Sequence, residues 1–185
     1  MLVLNRRPGE SIIIEHGIDL SLLSTEGHKV WLGVTVPGIT SSVRLSPAAA
    51  SASDVRLEIA APLTVRVEEE RAYVEVAPLG HPSHDCRTTF ALHRKVGQSI
   101  DFGAELSVRV SSLARGNPSL ALEGPTIGTG LVVTVIRQVG SYVRIGIDAP
   151  GRRVYRKEIW DQVVEENRAA AAGDLAALRL ATSSA

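Results

Sequence analysis

Arginine pairs and single arginines in short strand-like segments are the residues of this chain best suited to chemistry. Arg6 and Arg7 close the opening run Leu2-Val3-Leu4-Asn5-Arg6-Arg7-Pro8-Gly9-Glu10. Arg94 and Lys95 close a degraded echo of it, Phe90-Ala91-Leu92-His93-Arg94-Lys95-Val96-Gly97-Gln98. Arg44 lies in Ser42-Val43-Arg44-Leu45, and Arg156 in Val154-Tyr155-Arg156-Lys157. A guanidinium presents planar, forked donors, which suit phosphate oxygens and the acceptor edge of guanine better than an ammonium does. The bland alternative is that paired cations solvate a strand edge and block aggregation.

Other constellations fail on their own chemistry. His81, His84 and Cys86 supply three potential ligands in a Pro-containing connector, where zinc wants about four. Glu68-Glu69-Glu70 reads as a solvated hairpin tip. The stretch from Gly124 to Gly130 lacks the Gly-Lys-Ser/Thr ending of a phosphate loop and precedes a strand, not a helix. Trp31 and Trp160 read as core anchors. No nucleophile–base pair stands out, so no enzyme, cofactor or metal is expected.

The elements that must hold these cations are mostly strands. Ile18–Leu22 and Lys29–Val34 alternate across Glu26-Gly27 and form a hairpin. Comparable hairpins are expected near 63–78, 105–122 and 131–150. Ser46–Ser53 reads as a linker or one weak helical turn begun by Pro47, and Gly80–Asp85 as a linker. After a last strand near 153–156, Ile159, Trp160, Val163 and Val164 give a helix one apolar face, and Gly173-Asp174 is expected to interrupt it.

Composition sets the frame. The 185 residues suit one domain or two of about 90, and 20 Lys+Arg balance 20 Asp+Glu. A nucleic-acid site must therefore be a local cluster. A single cysteine argues against a disulfide framework and for the cytoplasm, and no apolar run approaches the ~18 residues of a membrane span.

The opening motif, together with Val143-Arg144-Ile145-Gly146-Ile147-Asp148-Ala149-Pro150 and Tyr155-Arg156-Lys157-Glu158-Ile159-Trp160, resembles the carbon storage regulator (CsrA/RsmA) family of small mRNA-binding bacterial regulators. The resemblance implies a mainly β fold of tandem antiparallel sheets forming an intramolecular pseudo-dimer, with a C-terminal helix. It implies units at 1–85 and 88–185, each with an extra hairpin. In that family the first strand of one copy and the last strand of the other grip a GGA-containing loop. Leu4, Asn5, Arg6 and Arg7 with Arg156 would then form one RNA site, and Leu92, Arg94 and Lys95 with Arg44 a weaker one. Arg87 is the alternative to Arg44 if the 63–78 hairpin displaced the original last strand. The implied partners are mRNA leaders, in which ribosome access would be blocked, and a regulatory protein or small RNA antagonist. A monomer is expected, since one chain carries both copies. The rival reading is a protein-interaction module that kept the fold and lost RNA.

Overall fold

A computed structural model describes residues 1–39, 42–51, 54–62, 67–69 and 87–183. Their strands are β1 (Leu2–Arg6), β2 (Ser11–Ile14), β3 (Ile18–Glu26), β4 (Lys29–Thr35), β5 (Val43–Ala49), β6 (Asp54–Pro62) and β7 (Val67–Glu69). They continue with β8 (Arg87–Lys95), β9 (Ser99–Phe102), β10 (Leu106–Ala114), β11 (Asn117–Gly124), β12 (Gly128–Val139), β13 (Tyr142–Asp148) and β14 (Val154–Arg156). Helix α1 (Lys157–Ser183) follows.

The strands form two seven-stranded antiparallel sheets, ordered β1-β13-β12-β11-β10-β9-β7 and β8-β6-β5-β4-β3-β2-β14. Each strand of the first half occupies the place of the strand seven later in the second. Each half also lends its first and last strand, β1 with β7 or β8 with β14, to the other half's sheet. The register repeats as well, with a constant offset of 88 residues over the first four strands (Asn5 to His93, Leu22 to Val110). Even the β-bulge recurs, between Leu22 and Ser24 in β3 and between Val110 and Ser112 in β10.

One core lies between the sheets. It draws Ile12, Ile14, Leu20, Leu32 and Ile59 from one and Ile100, Phe102, Leu106, Val108, Val143 and Ile145 from the other, all at most 1% exposed. Period-2 alternation places these residues inward and their polar neighbours outward.

The turn after each first strand explains the repeated motif. Gly9 and Gly97 take φ of 90° and 94°, a backbone region that favours glycine. Their N–H groups donate to the carbonyls of Leu22 (2.7 Å) and Val110 (2.8 Å). Glu10 Oε2 accepts from the Arg7 N–H (3.0 Å), and Gln98 Oε1 from the Lys95 N–H (2.9 Å). Glycine followed by Glu or Gln is thus the chemistry of a turn.

Several expectations need correction. Residues 46–49, read as linker, complete β5 and lead into β6. Pro47 is accommodated because β4 pairs with β5 only through Leu45, and beyond it a missing N–H interrupts no ladder on that side. Glu68 and Glu69, read as a hairpin tip, lie in β7 against β9; the rest of the 63–78 hairpin and the Gly80–Asp85 connector lie outside the described residues. The expected hairpin at 131–150 is β12–β13, and its counterpart in the first half is β5–β6. Gly173-Asp174 does not end α1; glycine costs about 1 kcal/mol there, and the alanines of 169–172 and 176–177 favour continuing. Trp31 and Trp160 are half-buried, outside the core. The expected apolar face of α1 stays open, with Ile159 47% and Val163 38% exposed.

Candidate nucleic-acid interface

β1 and β14 are edge strands of different sheets, and the two edges meet at one pole of the molecule. The Arg6 guanidinium lies within electrostatic reach of both Arg156 and Glu158. These residues stand about 150 positions apart in the chain, and β1–β13 with β14–β2 pairing unites them.

Alternation along β1 divides its side chains. Leu4 is half-buried against the core and Arg6 is only 2% exposed, whereas Asn5 and Arg7 face outward. Arg6 Nη1 donates to the Asn5 carbonyl (3.1 Å) and lies 3.9 Å from Glu10. Its Nε and Nη2 are buried without a hydrogen-bond partner. Burial lowers the Arg6 pKa; Glu158 opposes that shift, the Arg156 cation reinforces it and Glu10 again opposes it. Such a cation is costly to the free protein and projects positive potential at the strand edge. Arg7 sits over the Tyr142 ring, 4.4 Å from its centroid, and Nη2 donates to the Tyr142 hydroxyl.

The outward face continues beyond the expected residues. Asn5 stands opposite Arg144, and Arg144 opposite Arg137 across the β12–β13 ladder. Asn5, Arg137, Val139, Tyr142 and Arg144 line a shallow cavity of about 240 Å³. Three arginines around an accessible tyrosine can take phosphates and stack a base. In the sequence, Arg144 stands out only within a family motif, and Arg137 and Tyr142 do not stand out at all. The available signal was the register that a two-residue hairpin turn at Gly140-Ser141 enforces.

The second set of expected residues does not assemble in the same way. Leu92 and Arg94 are half-buried and Lys95 exposed on β8, the counterpart of β1. Arg44 is on β5, an interior strand, opposite Gly33 and Ala60. Arg94 is opposite Val55, so their partners stand five positions apart on β6, roughly 17 Å along the strand. Arg87, the alternative, begins β8 opposite Pro62. The strand that stands where β14 stands is β7.

Relatives are consistent with this geometry. The global regulator protein family matches residues 1–45 and 121–165. The translational regulator CsrA of Geotalea uraniireducens is 47% identical over 62 residues, 33% of this chain and 78% of that protein. The same regulator from Geobacter sulfurreducens is 44% identical over 57 residues, 30% of this chain and 72% of its own. No solved structure matches. The two antiparallel sheets with exchanged first and last strands, and matches of this extent, define a translational-regulator fold built twice in one polypeptide. The chain belongs to the CsrA family.

Proposed function

We propose that the chain is an RNA-binding translational regulator that grips a GGA-containing loop between β1 and β14 and so blocks ribosome access to the bound leader. The observation that carries this reading is the strand pairing at one pole: β1 edges its sheet, the Arg7–Glu10 turn leads directly into β2, and β14 edges the other sheet on β2 with Arg156 opposite Ile12, six residues after Arg6. Arg7 and Arg156 are exposed there, with Asn5. In this reading Arg7, Arg156 and Asn5 contact RNA directly, the β1 backbone at Leu4 offers edge donors and acceptors, and Arg6 acts from beneath through its charge. Arg137 and Arg144 extend the grip to flanking phosphates.

The chain folds as two fused units, 1–85 and 88–185, whose exchanged strands make a second polypeptide unnecessary. Tethered strands meet at effective concentrations of order millimolar, so internal exchange outcompetes pairing between molecules.

The test is binding of a GGA hairpin RNA across a salt series. Each phosphate contact to the single-stranded loop should add about 0.7 to the negative slope of log K against log salt. Light scattering on the same sample should give a mass near 19.7 kDa plus the RNA. Salt-independent binding, or no preference for GGA over a scrambled loop, would overturn the RNA reading in favour of a protein-interaction module.

A further inference from the structure

We propose that this protein is a one-site RNA binder: the pole formed by β7 and β8 keeps the backbone of an RNA site but has lost the positive charge that would hold RNA, so a single chain cannot bridge two motifs. The inference rests on the RNA reading of the β1–β14 pole.

Equivalent positions follow from the strand register. β14 pairs with β2 as Val154↔Ile14, Tyr155↔Ile13 and Arg156↔Ile12. β7 pairs with β9 as Val67↔Phe102, Glu68↔Asp101 and Glu69↔Ile100. Since Ile12, Ile13 and Ile14 correspond to Ile100, Asp101 and Phe102, Glu69 holds the place of Arg156 and Glu68 that of Tyr155. The last-strand cation has become an anion.

The outward face changes in the same direction. His93 opposes Arg56 where Asn5 opposes Arg144. Next along these ladders, Asp54 takes the position of Tyr142 and Ala48 that of Arg137. Glu58 takes the position of Gly146, bridging Arg56 (3.1 Å) and Lys29 (2.9 Å). Arg56, the one outward arginine retained, is therefore already engaged by a carboxylate. Three exchanges run the other way, Glu10 to Gln98, Asp148 to Ala60 and Asn117 to Lys29.

Over these paired positions the first pole carries five arginines (6, 7, 137, 144, 156) against Glu10 and Asp148, a net +3. The second carries Arg56, Arg94, Lys95 and Lys29 against Asp54, Glu58, Glu68 and Glu69, a net 0. A polyanion is drawn to the first surface and gains nothing from the second. An independent observation agrees. β1, β2, β13 and β14 all lie within the segments matched by the family, 1–45 and 121–165, whereas β6, β7, β8 and β9 all lie outside them.

The experiment is native mass spectrometry and titration calorimetry of the full chain with a GGA hairpin RNA, and with an RNA carrying two such hairpins. One RNA per chain is expected, and the two-motif RNA should bind no tighter than about twofold, the statistical factor, because no avidity is available. Two hairpins bound per chain, or a gain of 100-fold or more on the two-motif RNA, overturns the proposal. No binding overturns the RNA reading, and this inference with it. Arg156→Glu places at the exposed first pole the residue type of the second. It should lower affinity by at least about tenfold; binding that persists undiminished would reveal a working second pole and overturn the proposal. Conversely, Asp54→Tyr with Glu69→Arg should raise the stoichiometry towards two, and an unchanged value would overturn charge as the cause.

Discussion

The two poles of this molecule share a backbone and differ in chemistry. Both first strands end in a cation pair followed by a positive-φ glycine. In both, the next residue's side chain accepts from the second cation's N–H, and the glycine N–H bonds the bulged strand. These features survive in the weaker copy because they serve folding. The turn sends each first strand to one sheet and the following strand to the other, and ties its glycine N–H to the bulged strand. The outward side chains serve no such constraint. At the positions of Tyr142 and Arg137, where Asp54 and Ala48 stand in the other half, even the ladder differs: β12–β13 carries a bulge between Val135 and Arg137 that β5–β6 lacks. The two copies thus share the parts of the motif that build a strand edge and differ in the outward side chains proposed to contact RNA.

The sharpest way to break this comparison is through the shared core. Phe102 is fully buried beneath the second pole, on the strand that pairs with β7. Phe102→Ala should cost about 3–5 kcal/mol of stability. Because one core joins both sheets, thermal unfolding should stay a single transition at lower temperature, with β1–β14 RNA affinity lost in the same transition. Two separated transitions would mean that the poles fold apart.

A second test compares homologous cations. Arg7→Ala removes an exposed guanidinium stacked on Tyr142 and should cost about 1–3 kcal/mol of RNA affinity. Lys95→Ala, its counterpart on β8, should leave affinity within error. Equal losses in a filter-binding series would contradict the asymmetry.

The third test separates stability from binding at a buried charge. Arg6→Met replaces a buried guanidinium with two unpartnered nitrogens by an apolar chain of similar length. The free protein should be unchanged or about 1–2 kcal/mol more stable, while RNA affinity falls, since the charge beneath the edge is gone. Arg94→Met should alter RNA affinity little. Denaturant unfolding and RNA titration of each variant supply the two readouts, and a destabilised Arg6→Met protein would show that Glu10 and Glu158 already compensate the charge.

Much of this protein was legible in its sequence. The repeated first-strand motif, the alternating hairpins at 18–35 and 106–122, the last strand and the helix start are local patterns, and local patterning selects strand or helix through side-chain period alone. The union of Arg6 with Arg156 was legible only through the family resemblance. Three features were decided elsewhere. Arg44 carries the family spacing, yet it lies inside a sheet because β5 continues through Pro47 into a hairpin with β6. The residue standing where Arg156 stands came out as Glu69, with Glu68 in the place of Tyr155, in a stretch read as a solvated tip. And Arg6, the most motif-like cation, turned inward while Asn5 and Arg7 faced out. Each of these depends on which strand lies beside which and in what register. A shift of one residue reverses every side chain, and pairing between strands more than a hundred residues apart has no local signature. Sequence determined the elements, the turns and the duplication; tertiary structure alone decided which cations share a pole and which of the two poles remains positive.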